Sequence, residues 1–295
     1  MRELKVDLTK GIKQLEIITK GMVTTKMVGQ YKSVFKGKGL EFADFREYAP
    51  DDDASLIDWK ASARANRTLI KEYMEERNVE IFFLVDTSAS MVFGSTEKLK
   101  NEYAAELVAS LAYVMLQAGD SVGFALFNEK IIAKFPPANG KNQFYIISKS
   151  LVNPTFYGHG FNFEEALKFL ITYLRERTVV MVISDFIGLK GDWQKYLNIC
   201  AKKFDMISIM IRDPRDRALP DEKRQLIIQD PYSHKQLIFV PSEIRYEYES
   251  YVLQQEKEIR GAFQKVECDI IYLSTDKPFA PPIVDFFRRR QLRMR

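Results

Sequence analysis

One stretch, residues 79–91 (VEIFFLVDTSASM), restricts what the chain can fold into more than any other. Ile81, Phe82, Phe83, Leu84 and Val85 make an unbroken apolar run. Such a run suits a strand buried on both faces, as in the middle of a parallel sheet. Asp86, Ser88 and Ser90 follow directly, all of them hard oxygen donors. They stand where the strand should end, and open α/β sheets bind their ligands outside that end.

The pattern repeats along the chain. Residues 178–186 (TVVMVISDF) form a second continuous run that ends in an acid, Asp185, and residues 205–214 (DMISIMIRDP) a third that ends in Asp213 and Pro214. Helical spacing fills the gaps. Over residues 97–118, Leu99, Tyr103, Leu107, Leu111 and Val114 recur at three- and four-residue steps. Further helices are expected over residues 141–152, 162–175, 191–204 and 242–265. SVGFALFNEKIIAKF reads as a hairpin turning at Asn128 and Glu129 and ended by Pro136 and Pro137. A polar connection then leads to a short strand, QLIFV, and VECDIIYLST supplies the last strand. Strands alternating with helices of this length predict a doubly wound, mostly parallel six-stranded α/β sheet with one antiparallel edge strand and helices on both faces.

Ahead of that domain, Leu4, Leu8, Ile12, Leu15 and Ile18 predict a helix over residues 3–29. Residues 30–78 are rich in Gly, Asp and aromatics, and predict turns and short strands with a helical piece over residues 58–65. The expected division is an N-terminal module over residues 1–78, the α/β domain over 79–275 and a basic C-terminal helix over 276–295.

Composition narrows the function classes. Cys200 and Cys268 have no CxxC spacing, so a zinc site or a disulfide framework is not indicated, and both read as buried apolar thiols. The N-terminus lacks a signal-peptide core, and no stretch approaches the ~20 apolar residues of a membrane-spanning helix. The cytoplasm is the expected location. The net charge of +4 is uneven: residues 1–40 hold nine Lys/Arg against three Asp/Glu, and FFRRRQLRMR adds five arginines. Basic ends could meet nucleic acid, an anionic membrane surface or an acidic partner. Solvated helical faces are the favoured reading, and no aromatic-and-basic stripe for stacking single strands is present.

The DxSxS spacing has a chemical meaning. As strand passes into loop, the alternate residues Asp86, Ser88 and Ser90 can aim their oxygens at one spot, and Asp185 would emerge at the same edge of the sheet. Two hydroxyls and one or two carboxylates suit a hard divalent cation such as Mg²⁺, which keeps part of its water shell. The loop before the 162–175 helix would add a further ligand. Asp and Ser also favour helix N-caps, which is the competing structural role. A hydrolase could be drawn from Ser88 or Ser90 with His159 and Asp185, but the G-x-S-x-G elbow is absent. A phospho-aspartyl phosphatase would need an acid where Ser88 stands. His159 and His234 read as loop residues. Gly37 and Gly39 form an isolated GxG fragment, and there is no phosphate-binding GxxxxGK[ST].

VEIFFLVDTSASM and VVMVISDF resemble the first and fourth strands of a von Willebrand factor A domain, in which DxSxS and a later Asp belong to the metal-ion-dependent adhesion site. The upstream stretch GKGLEFADFREYAPDDDASLIDWKASAR resembles the signature of the bacterial family called domain of unknown function 58. Gly37, Gly39, Glu41, Phe42, Arg46, Tyr48, Asp52, Ile57, Asp58, Trp59, Lys60, Ala63 and Arg64 match it, as do Asp213, Pro214, Leu219 and Pro220 further on. The resemblance implies a metal site of Asp86, Ser88, Ser90 and Asp185 holding Mg²⁺, with Mn²⁺ or Ca²⁺ as substitutes. It also implies a non-enzymatic adaptor that works with a MoxR-type AAA+ ATPase on a client protein, in assembly or maturation of complexes. One position departs from the pattern: Phe161 stands where the threonine ligand is expected, with Thr155 and Asn162 nearby. Within the signature, Arg46, Asp52, Asp58, Lys60 and Arg64 are expected to form an ion-pair network that docks the N-terminal segment on the sheet domain, with Tyr48 and Trp59 packed into that contact. The alternative is that they present a partner surface.

Overall fold

A computed structural model describes residues 41–49, 52–74, 79–230 and 235–293. The helix expected over residues 3–29, the pair Gly37 and Gly39, and His234 lie outside the described residues. Strand β1 (Glu41–Glu47) pairs antiparallel with β2 (Leu69–Met74) across a short helix, α1 (Trp59–Ala65). Asp58 starts that helix: its carboxylate accepts from the backbone N–H groups of Lys60 and Ala61, both at 3.0 Å. Those are two of the donors that a first helical turn leaves without partners.

Strands and helices then alternate. In chain order they are β3 (Glu80–Asp86), α2 (Lys100–Gln117), β4 (Ser121–Phe127), β5 (Ile131–Ala138), α3 (Lys141–Leu151), α4 (Phe163–Tyr173) and β6 (Val179–Ser184). There follow α5 (Trp193–Lys203), β7 (Asp205–Arg212), a one-turn α6 (Pro214–Arg217), β8 (Leu226–Gln229), β9 (Gln236–Phe239), α7 (Pro241–Lys265), β10 (Asp269–Ser274) and α8 (Ala280–Arg293). The main sheet has six strands in the order β10-β7-β6-β3-β4-β5. All neighbours are parallel except the edge strand β5, which runs antiparallel to β4. The expected doubly wound sheet is present.

The apolar runs serve two cores at once, because successive strand residues face opposite sides. From β3, Ile81, Phe83 and Val85 pack with Leu107, Leu111 and Met115 of α2 and with Ile283 and Phe287 of α8. Phe82 and Leu84 pack on the other face with Leu167 and Leu170 of α4, Leu197 of α5 and Phe263 of α7. The basic C-terminal helix thus turns an apolar side into the first core, while its Arg290 pairs with Asp205 and Asp269. Close approach explains a glycine in β4: a Cβ on Gly123 would lie 2.7 Å from Pro137 N and 2.8 Å from the Phe82 ring.

Two details differ from expectation. Pro136 and Pro137 do not end the hairpin, since β5 continues through them to Ala138. An edge strand tolerates proline because N–H groups on its outer side need no ladder partner. QLIFV stays out of the main sheet: β9 pairs antiparallel with β8, which lies within the stretch read as a polar connection.

Candidate functional site

The chain winds from β3 outward to β4 and β5, then returns across the sheet to β6 on the other side of β3. The ends of β3 and β6 therefore form the topological switch point, where doubly wound sheets open a crevice. Register sets the detail. Val85 lies opposite Ile183, so Asp86 ends β3 beside Ser184, and Asp185 is the first residue beyond β6.

The Asp86 carboxylate accepts from Ser184 Oγ at 2.6 Å and from the Ser88 backbone N–H at 2.8 Å. The Ser88 and Ser90 hydroxyls face each other at 3.2 Å. Ser88 occupies the N-cap position of a 3₁₀ turn, Ala89–Val92, but makes no side-chain cap bond. The capping role open to these serines is therefore not the one they play. The neighbouring loop is fastened to this turn: Ala89 N–H donates to His159 O at 3.0 Å, and Gly158 N–H to Thr87 O at 2.8 Å. Asp86, Ser88 and Asp185 are fully buried, and Ser90 nearly so. Burial first, and the facing charge of Asp185 second, push the Asp86 carboxyl up to about 7, against the pull of its Ser184 and Ser88 bonds.

Lys100, the first residue of α2, is also fully buried. Its ammonium donates to Asp185 Oδ2 at 2.7 Å and to Asp216 Oδ2 at 2.8 Å, while the other Asp185 oxygen accepts from Ile187 N–H at 2.9 Å. Burial pulls the Lys100 ammonium down and the two carboxylates push it up; the carboxylates prevail. Asp216 is itself fixed in α6, where it accepts from Asp213 N–H at 2.9 Å. Sequence reasoning missed both residues. The available signal was spacing: Lys100 stands three and seven residues before Tyr103 and Leu107, on the buried side of α2.

The structure thus brings Asp86, Ser88, Ser90 and Asp185 to one edge, and it leaves the expected fifth ligand out. Phe161 stacks on Phe163, with ring centroids 6.3 Å apart, and packs on Phe127. Thr155 donates to Asn153, and the Asn162 side chain is engaged in capping α4 through Glu165 N–H. His159 is exposed, and among the described residues its imidazole makes no hydrogen bond. The contacts of a Ser–His–Asp triad, nucleophile to base and base to acid, are not made, and Asp185 is held by Lys100 instead.

The donor set fits a hard divalent cation. All four side chains offer oxygen, and each serine oxygen carries two acceptor lone pairs, of which their mutual contact uses one at most. Among the described residues no cluster of three or more His, Cys, Asp or Glu is arranged for a metal. Any ion here would therefore depend on the two hydroxyls, with Phe161 leaving the set one protein ligand short.

The signature region divides. Arg46 and Asp52 form a two-pronged ion pair with both contacts at 2.7 Å, and the Ala49 N–H donates to the same carboxylate at 2.8 Å. That part of the expected network is made. Trp59 is 71% exposed, and Lys60 and Arg64 of α1 also face solvent, so the predicted packing of Trp59 into the network does not occur. Trp59, at the first helical position just after the capping Asp58, stands largely in solvent.

A doubly wound sheet with an oxygen-lined switch point defines the class. The chain belongs to the family described as "Protein of unknown function DUF58", matched over residues 44–258. It is 23% identical over 287 residues to the uncharacterized protein Rv1480 of Mycobacterium tuberculosis, covering 96% of this chain and 90% of the relative. Among solved structures it is similar to the conserved hypothetical protein BatB from Bacteroides thetaiotaomicron, at 15% identity over 73% of this chain and 99% of that one, with a TM-score of 0.47. A von Willebrand factor type A protein from Catenulispora acidiphila matches at 10% identity over 74% of this chain and 43% of that one, with a TM-score of 0.38. No described helix is long and apolar enough to cross a membrane.

Proposed function

We propose that this protein is a non-enzymatic docking module whose partner-binding edge is the switch point between β3 and β6. The observation that carries the reading is the convergence there of Asp86, Ser88 and Ser90 with Asp185, a set composed only of hard oxygen donors. A divalent cation such as Mg²⁺, held by these residues, would leave coordination positions for a carboxylate of the partner. Asp86 and the two hydroxyls form the primary set, with Asp185 beside them at the end of β6. Because these side chains are buried, access requires the Ala89–Val92 turn and its neighbour around His159 to part. Val92 and Phe93, both exposed beside the site, would then be part of the contact surface.

The resemblance described above directs the search for the partner to a MoxR-type AAA+ ATPase, acting in the cytoplasm on a client complex. The test is retention of that ATPase from the same genome on the immobilised full chain. Mg²⁺ should support retention, chelator should release it, and Asp86→Ala should lose it while the far-UV circular dichroism stays unchanged. Equal retention in Mg²⁺ and in chelator would sink the cation-mediated docking.

A further inference from the structure

We infer that Lys100 is a built-in competitor for the cation at this edge, an ammonium that already neutralises Asp185 and so sets how strongly the site takes a divalent ion. The inference deepens the docking reading and rests on it.

Three observations carry the argument. The first is placement. Lys100 is fully buried at the first position of α2, where the helix dipole opposes a positive charge and where lysine is seldom found without a partner. What holds it there is the pair of carboxylates at 2.7 and 2.8 Å, the lengths of charge-assisted hydrogen bonds. The second is charge. Asp86 and Asp185 are both fully buried at this edge, and Asp86 draws its hydrogen bonds from neutral donors, Ser184 and Ser88. Among the described residues, Lys100 brings a positive charge to the site, bonded to Asp185. The third is the ligand set. With Phe161 packed among rings, the loop before α4 contributes no hydroxyl, so the remaining ligands have little margin over a tethered ammonium.

A divalent ion that takes an oxygen of Asp185 must share that carboxylate with Lys100 or displace it. Displacement leads toward Phe93, whose exposed ring lies 5.6 Å from the ammonium and can face a cation. Asp216 keeps its own bond to Asp213 N–H and can retain Lys100 alone. On this account the edge favours a cation only when something else, such as a partner's carboxylate, adds to its ligands.

Mn²⁺ serves as the probe, titrated into the full chain and followed by the paramagnetic resonance of the free ion, with a Mg²⁺ series of thermal melts beside it. Lys100→Met should bind Mn²⁺ about tenfold more tightly than wild type or better, the scale expected when a like charge is removed from a partly screened site. Mg²⁺ should raise the melting temperature of the variant more than that of wild type. The double variant Lys100→Met with Asp216→Asn has fewer unpaired carboxylates, and should keep the gain if the single variant folds poorly. Equal, tight binding by wild type and variants would overturn the role of Lys100 while leaving the cation site standing. Absence of binding in all three proteins would overturn the cation site and the competitor together.

Discussion

Two ion pairs in this molecule have nearly the same geometry and opposite circumstances. Lys100 meets Asp185 at 2.7 Å inside the switch point, and Arg46 meets Asp52 at 2.7 Å in the signature module. The first is sealed from water; in the second the arginine side chain is 46% exposed. Contact length says little about what either pair contributes. A buried pair whose partner is removed leaves an uncompensated charge in a poorly solvating interior, whereas an exposed charge is taken up by water and screened by salt. The neighbouring carboxylates differ in sign as well. Burial, with Asp185 next, pushes Asp86 up to about 7, while the Arg46 bonds and the Ala49 N–H hold Asp52 below the usual carboxylate range.

The largest break in the comparison should come from Lys100→Ala. It strands Asp185 and Asp216 together, and the expected loss is about 3–5 kcal/mol in urea unfolding. Arg46→Ala should stay within the scatter of the same measurement. A loss at Lys100 no larger than that at Arg46 would show that the buried triad is far better hydrated than its geometry implies. The next effect is one of pH, measured in chelator. Between the ordinary carboxylate value of 3.8 and about 7, folded Asp86 holds a proton that the unfolded chain has released. The native state therefore binds more protons over that window, and wild-type stability should rise as pH falls from 8 to 5. Asp86→Asn removes that titration and should flatten the slope. A variant that retains the wild-type slope would place the titration elsewhere. Asp52 acts in the opposite sense: its contribution is present above 3.8 and fades below it.

Much of the fold was legible because an apolar run that alternates between two faces must be covered on both. Phe82 and Phe83 point into different cores, and adjacent runs of that kind permit little except a doubly wound sheet. Asp86, Ser88, Ser90 and Asp185 were legible because strand ends in such a sheet share one edge. The misreadings have a common origin in local rules that tertiary context relaxes. Pro136 and Pro137 break a strand only where their missing N–H groups are needed, and β5 lies at an edge. β8 was lost among charges because Ile227 and Ile228 are exposed and sit in a two-stranded ribbon outside either core. Lys100 was lost because its partners lie 85 and 116 residues away. Its spacing from Tyr103 and Leu107 marks a place on the buried side of α2, but its partners, after β6 and in α6, are visible only in three dimensions.

The smallest expected effect sharpens the other side of the comparison. Asp58 caps α1 with two backbone bonds and stands next to the exposed Trp59. Asp58→Ala should cost about 1 kcal/mol, the usual value of an N-cap. Trp59→Ala should leave stability unchanged, since an exposed ring gives up little buried area. If Trp59→Ala nonetheless weakens retention of the partner ATPase, and Asp58→Ala weakens it in proportion to the unfolding of α1, the signature acts as a second contact surface held in shape by its cap. If neither change alters retention while Asp86→Ala does, recognition belongs to the buried edge, and the exposed α1 contributes only to the fold of its own module.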